Sequence, residues 1–456
     1  MGRGAGLCGL VAVALLAAGA AAQERRPNVL VITVDDLNTH VGCYGEARAV
    51  TPAIDALAAR GVRFERAYCQ YPLCNPSRIS LFSGLRPVRT GVEDLQGSLR
   101  EHLPDAVTLP ELFKRGGWTT ARIGKVQHRN DPADDPRSWD RTVPVVGRED
   151  EERTDELVNL TPRIRRIWGV AYLETDAEDH ELVDGRIVSE ALAFLEEERE
   201  GPFFLALGFL RPHVPFIAPS RYWREHPLDA IEPVARVAGD LDDVPSLSVT
   251  QDRPDLGMDA AAVRKALQGY AAATTYVDAQ IGRVLDALER LGLADDTYVV
   301  LTSDHGFLLG EHGQWMKWSL FEPAARVPLL VAGPGIAPGV SPRTVELLDV
   351  FPTLADLCGL EPPAGLDGAS LRPLLADPAA TWERPAFTEL ARLGFHGWSV
   401  RTERWRYTEW EGGSVGRELY DHTSDPGEIT NLAEREEFAA TVAELSAAIA
   451  ARRGAE

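Results

Sequence analysis

The run NVLVITVDD, Asn28 to Asp36, constrains this chain more than any other stretch: a strand-length segment rich in valine, isoleucine and leucine closes on two carboxylates. A strand without polar alternation has to be covered on both faces, as strands are in a parallel sheet flanked by helices. The same design returns far downstream, where TYVVLTS (Thr297–Ser303) runs into Asp304 and His305. PFFLALGFL (Pro202–Leu210) and VPLLVAG (Val327–Gly333) read as further buried strands.

Helical segments alternate with these strands. Thr51 as N-cap, Pro52 at the first helical position and Gly61 past the end frame a helix over IDALAAR. Thr108–Lys114 and Asp184–Glu198 read as helices capped by Thr108 and Asp184. Val277, Ile281, Val284, Leu285 and Leu288 recur on one face of a long helix over Ala261–Leu291. The alternation predicts an α/β fold around a large, mostly parallel or mixed sheet flanked by helices. Residues 129–183 and 219–258, polar and without clean periodicity, read as surface excursions that shape a pocket rim. From Thr381 the pattern changes: WSVRTERWRYTEW (Trp398–Trp410) alternates with period two, and a terminal helix follows from about Glu434. The expected organisation is a leader over residues 1–22, a main domain over 23–380 and a small C-terminal antiparallel α+β subdomain over 381–456.

Residues 1–22 carry an apolar run, GLVAVALLAAGA, and end in small residues near Ala22, the pattern of a cleaved secretory signal. The expectation is a secreted or periplasmic protein. No later run approaches the ~18–20 apolar residues of a spanning helix, so no membrane partner is expected. A net charge of −22 argues against nucleic acid. Cys8 leaves with the leader; Cys43, Cys69, Cys74 and Cys358 remain, and their even number in an oxidising compartment predicts two disulfides. No second C-x-x-C or H-x-x-x-H supports a structural zinc site.

Ligands collect at the carboxyl ends of strands in open parallel sheets. If the two strands are neighbours, Asp35, Asp36, Asp304 and His305 converge, and uncompensated carboxylates would raise one another's pKa values. A cation removes the conflict, and oxygen ligands favour Ca²⁺ or Mg²⁺ over zinc. The plainer reading is that these carboxylates cap helices or face solvated loops. Cys74 opens a helix, since Pro76 suits a first turn and Gly84 an end, and backbone N–H groups there lower a thiol's pKa. Arg78 lies one turn on. A thiolate is a poor partner for a hard ion, so an unmodified sulfur does not suit that metal site.

CNPSR followed by ISLFSG resembles the C-x-P-S-R signature of type I, formylglycine-dependent sulfatases, and GWTTARIGKVQH (Gly117–His128) resembles their second signature. DDLN…GCYG, FLRPHVPF, TSDHGFLLGEHGQWMKWS and ELYDHTSDPGEITNL are most similar to the iduronate-2-sulfatase branch. The resemblance implies an alkaline-phosphatase-like fold and oxidation of Cys74 to formylglycine by a maturation enzyme. The aldehyde hydrate would attack the sulfur of a sulfate ester and later expel sulfate. It also implies Asp35, Asp36, Asp304, His305 and modified Cys74 as ligands of one Ca²⁺, with Mg²⁺ the lesser choice. Arg78 would orient the hydrate, and Lys125 and His128 would serve as sulfate contact and base. His213 and Lys317 would hold the sulfate, and His213 or Lys317 would protonate the leaving alcohol. The implied substrate is a sulfated carbohydrate, with a uronate or iduronate 2-O-sulfate in view. The alternatives are a phosphonate or phosphate ester hydrolase of the same superfamily, or a non-catalytic sulfated-glycan-binding protein. Two positions depart from the family pattern: Gln127 precedes His128, and Phe307 replaces a tryptophan that the resemblance puts near the sugar. His40, His312 and His422 read as structural histidines.

Overall fold

The computed structural model describes residues 26–128, 135–144, 147–161, 164, 169–251 and 253–454. The expected leader over 1–22 lies outside the described residues. Eight strands form the main sheet: β1 Asn28–Val34, β2 Val62–Tyr68, β3 Thr119–Gly124, β4 Arg141–Val143, β5 Phe203–Phe209, β6 Thr297–Ser303, β7 Arg326–Ala332 and β8 Gly339–Glu346. Their order is β8-β2-β7-β6-β1-β5-β3-β4, and every pairing is parallel except those of β7. The sheet is therefore mixed and mostly parallel, as expected.

β1 is buried along its whole length because helices cover both of its faces. Leu30, Ile32 and Val34 face a core built with helices α1 (Pro52–Ala58), α4 (Val183–Glu196) and α5 (Ala260–Arg290). Val29 and Val31 face a second core with α2 (Cys74–Ser83), α3 (Leu109–Arg115) and α6 (Val350–Leu357). A separate four-stranded antiparallel sheet, β9 (Ala386–Arg392), β10 (Phe395–Arg401), β11 (Trp405–Trp410) and β12 (Gly416–Asp421), carries the terminal helix α7 (Ala439–Gly454) on one face. The period-two run is thus a hairpin, and the helix begins a turn later than Glu434. Among the described residues no helix is long and apolar enough to cross a membrane.

Several local expectations are corrected. Thr108 caps α3, its hydroxyl accepting from Glu111 N, but Asp184 caps nothing. Its carboxylate lies inside α4 and accepts from Leu210 N and Arg211 N at 2.8 and 3.0 Å, fixing the turn after β5. Thr51 makes no capping bond to α1; its hydroxyl accepts from Gly42 N instead. Part of the polar excursion is regular structure, because Val158–Asn159 and Ala171–Thr175 join Phe216–Pro219 in a small sheet. The two expected disulfides are absent, and Cys43, Cys69, Cys74 and Cys358 are all free. Cys43 packs on the α1/α4/α5 face of the sheet and Cys69 and Cys358 on the other, so the sheet separates Cys43 from those two.

Candidate active site

Val34 pairs with Ser303 and Gly124 with Gly208, so β6, β1, β5 and β3 end level with one another. Their next residues therefore meet above one edge: Asp304 and His305 after β6, Asp35 and Asp36 after β1, the turn bearing His213 after β5, and Lys125 after β3. Gly124 and Gly208 permit the last of these. Gly124 has φ +79°, a Cβ on it would meet Gly208 O at 2.3 Å, and one on Gly208 would meet Lys125 C at 2.0 Å. Lys125 N in turn donates to Gly208 O at 2.8 Å.

α2 delivers Cys74 to this edge from the side. The thiol lies 3.5 Å from Asp35 Oδ1, 3.3 Å from His305 Nε2 and 3.2 Å from Lys317 Nζ. Asp35, Asp36, Cys74 and His305 each offer one ligand atom within 4.8 Å of the others. Asp304 stands beside this group, its Oδ2 3.6 Å from His305 Nε2 and bonded by Arg78 Nε at 2.8 Å. Arg78 is itself buried; it also reaches Asp35 Oδ1 at 3.6 Å and donates to the Lys125 and Val126 carbonyls. Ser77 donates to the Asp304 carbonyl.

Positive charge gathers at the opening. Lys125 pairs with Asp35, and Lys317 with Asp36 at 2.6 Å. His213 Nδ1–H donates to Val214 O at 2.5 Å, which leaves Nε2 facing Asp36 Oδ2 at 3.9 Å. The Lys125, His213 and Lys317 side chains are 9, 23 and 16 % exposed, whereas Asp35, Asp36, Arg78 and Asp304 are closed to solvent. The cations therefore line the entrance and the carboxylates its floor. His128 lies partly buried with its Nδ1 unpartnered.

Burial disfavours every charge here, and neighbours decide the outcome. Asp35 is held well below the ordinary carboxylate range despite burial, by Lys125, His213, Arg78 and Lys317. Asp36 is raised to about 7 by burial and by Asp35, against the pull of Lys317. Burial and Asp35 oppose ionisation of Cys74, yet Lys317 and Lys125 lower its pKa. Burial and Lys125 push His128 down to about 4, and burial with Lys317 lowers His213 well below the usual histidine value.

The site suits a hard divalent ion. Asp36 Oδ2 is buried with no hydrogen-bond partner, Asp36 sits at φ +64°, and two adjacent carboxylates share the floor. Tyr270 clamps that strained turn, donating to Asp36 O and accepting from Asn38 N, both at 2.9 Å. The sequence reading missed Tyr270 and Ser77 and misassigned Asp184. Tyr270 sits mid-helix with no local signal, and only Ser77, inside CNPSR, was within reach of a motif. Phe307 corrects an expectation: it is fully buried and stacked on Tyr270 at 5.8 Å, so it cannot touch a sugar. His312 turns to Asp240 at 3.1 Å and stacks on Phe321, and His422 pairs with Glu428 at 2.9 Å.

A sheet whose strand ends hold paired carboxylates, an imidazole and a helix-borne cysteine defines a hydrolase of the alkaline-phosphatase-like class. The family model "Sulfatase" matches residues 27–360, and "N-sulphoglucosamine sulphohydrolase, C-terminal" matches 310–454. The chain belongs to the sulfatase family and is a sulfuric ester hydrolase. It is 34 % identical to a sulfatase of Formosa agariphila over 92 % of this chain and 86 % of that one. It is 31 % identical to human iduronate 2-sulfatase, covering 89 % and 90 % of the two chains. The solved structure of BT1596, a 2-O GAG sulfatase, superposes with a TM-score of 0.71 at 27 % identity, over 94 % of this chain and 92 % of that one.

Proposed function

We propose that this enzyme removes sulfate from a carbohydrate, with a uronate 2-O-sulfate of the iduronate type as its substrate class, using a formylglycine made from Cys74 and a bound Ca²⁺. The observation that carries the reading is the meeting of Cys74 Sγ with Asp35, His305 and Lys317 inside 3.5 Å at a cation-lined entrance. The similarity to iduronate 2-sulfatase and to a 2-O GAG sulfatase supports the substrate class.

Asp35, Asp36, Asp304, His305 and residue 74 would hold the ion, which when bound neutralises the paired carboxylates and polarises a sulfuryl oxygen. Conversion of Cys74 to the aldehyde hydrate puts oxygen where sulfur stands now, which suits that ion, and provides the nucleophile. The other residues act on charge and protons. Lys317 and Lys125 face the entrance and balance the negative charge of the sulfate oxygens, a term worth most in a site partly closed to water. Arg78, locked between Asp304 and Asp35, orients residue 74 on α2. His213 has one ring nitrogen committed to Val214 O, so Nε2 is the atom that would carry a proton to the leaving alcohol once the negative charge of a bound sulfate offsets the burial and the Lys317 charge that lower its pKa. His128 is kept uncharged by burial and Lys125, which leaves it able to accept a proton as base.

Two measurements test this. Peptide mass analysis across Tyr71–Arg78 of active protein should find the aldehyde or its hydrate at residue 74. A panel of defined sulfated disaccharides should show sulfate release fastest from a 2-O-sulfated uronate. An intact thiol in fully active enzyme, or faster turnover of matched phosphate or phosphonate esters, would overturn the reading.

A further inference from the structure

Lys317, 3.2 Å from Cys74 Sγ, sits between two residues in the left-handed backbone region, Met316 at φ +75° and Trp318 at φ +67°. Bulky side chains rarely adopt that conformation, and it persists where the surroundings impose it. Its effect here is on direction. Trp315, Ser319, Leu320 and Phe321 are all buried, whereas Trp318 between them is 52 % exposed, more than any other described tryptophan.

The exposure is built rather than incidental. Trp318 N donates to Pro72 O at 3.1 Å, just ahead of Cys74, and Arg406 Nη1 holds Leu320 O at 3.1 Å on the other side. Among the described residues the indole has no ring, cation or hydrogen-bond partner of its own. A single exposed apolar residue is ordinary. A strained, anchored and unpartnered tryptophan next in sequence to an active-site cation is a different observation.

Resting on the sulfated-carbohydrate reading above, we propose that Trp318 is a specificity-determining platform: its indole face stacks on the apolar C–H face of the pyranose ring bearing the sulfate ester. Trp318 follows Lys317 directly and is tied to Pro72, two residues ahead of Cys74, so a ring whose sulfate is held by Lys317 lies beside the segment that carries the indole. A pyranose presents an apolar face and a hydroxylated edge, and tryptophan matches both with a flat ring and one N–H donor.

The test compares Trp318→Ala and Trp318→Phe with the wild type on a sulfated disaccharide, with inorganic sulfate as a competitive inhibitor that fills the anion site without a sugar. Trp318→Ala is expected to raise KM about twofold to tenfold, the span of one aromatic contact, while kcat and the inhibition constant of sulfate stay put. Trp318→Phe should recover most of the loss. An unchanged KM in Trp318→Ala overturns the proposal. So does a parallel rise in KM and in the sulfate inhibition constant, which would trace the effect to a displaced Lys317. Wild-type enzyme active only on non-carbohydrate sulfate esters overturns the carbohydrate reading and this proposal with it, a result read before any variant is made.

Discussion

Arg78 and Asp304 form a closed pair on the floor of the site: Nε donates to Oδ2 at 2.8 Å, and neither side chain reaches solvent. The same guanidinium touches Asp35 and the carbonyls after β3, so one cation on α2 ties together the ends of three strands. Removing one partner of a buried pair leaves a charge without compensation, at about 3–5 kcal/mol. Arg78→Ala is expected to lose that much stability in urea denaturation and to release no sulfate. Arg78→Lys keeps the charge but not the fork, and should regain part of the stability with little activity. A stable, active Arg78→Ala protein would contradict the geometry.

The acidic floor leads to a metal prediction. A ligand that binds only the folded state stabilises it by about 2.7 kcal/mol at a hundredfold excess over its dissociation constant. Ca²⁺ should raise the melting temperature of wild-type protein, and chelator should reverse the rise. Asp36→Asn removes a carboxylate oxygen that the structure leaves unpartnered and also the partner of Lys317; its apo protein should melt below the wild-type apo protein and gain little from Ca²⁺. Equal gains in both proteins would place the ion elsewhere.

These strand tips were the legible part of the molecule. β1 and β6 are covered on both faces, so their apolar runs announce themselves, and β6 spans Thr297–Ser303 as read. Their parallel register then brings Asp35 and Asp304 to one place without further information. What the sequence concealed depends on partners distant along the chain. Asp184 looks like a helix cap but serves the turn after β5. Val158–Asn159 is too short and too polar to show periodicity. The outward turn of Trp318 is a backbone property that no composition encodes.

Arg406 joins the C-terminal sheet to the segment that follows Lys317. It is buried, pairs with Glu322 and with Glu428 at 2.5 Å, and donates to Leu320 O, while Glu428 accepts from Glu322 N at 2.7 Å. Arg406→Ala leaves two buried carboxylates short of a partner and should cost about 3–5 kcal/mol. Because the same contacts hold the Lys317 segment, KM for sulfated substrate should rise as well, under conditions where the variant is fully folded. Loss of stability with an unchanged KM would show that this network does not reach Lys317.

Asp278 on α5 accepts from Ala53 N and Ile54 N, and burial raises its pKa to about 7. The folded value lies above the unfolded one of about 3.9, so the folded state binds the proton more tightly. The stability this provides is complete below the unfolded pKa and is lost as pH rises through the folded value. Between about pH 4 and 7 the slope from this group reaches about 1.4 kcal/mol per pH unit. Asp278→Asn cannot titrate, so the difference in unfolding free energy between wild type and variant should shift across this window in favour of the variant as pH rises. A constant difference would remove Asp278 from the account.

Gly208 and Gly124 face each other where β5 and β3 end, too close for a side chain on either. A methyl group on Gly208 would meet Lys125 C, Lys125 O and Val126 N at 2.0 to 2.4 Å, far inside contact distance, and none of these atoms belongs to a flexible side chain. Overpacking of this kind typically costs about 1–3 kcal/mol, and relief requires the end of β3 to move. Gly208→Ala should therefore lower both stability and kcat/KM, because the displaced backbone carries Lys125, whose ammonium pairs with Asp35. Gly292, at φ +66° with no atom within 4 Å of the place a methyl group would take, is the control. Gly292→Ala carries the strain of a left-handed conformation without the collision, so it should lower stability modestly and leave turnover unchanged. Measuring thermal unfolding and sulfate release on both separates backbone strain in general from displacement of Lys125 in particular.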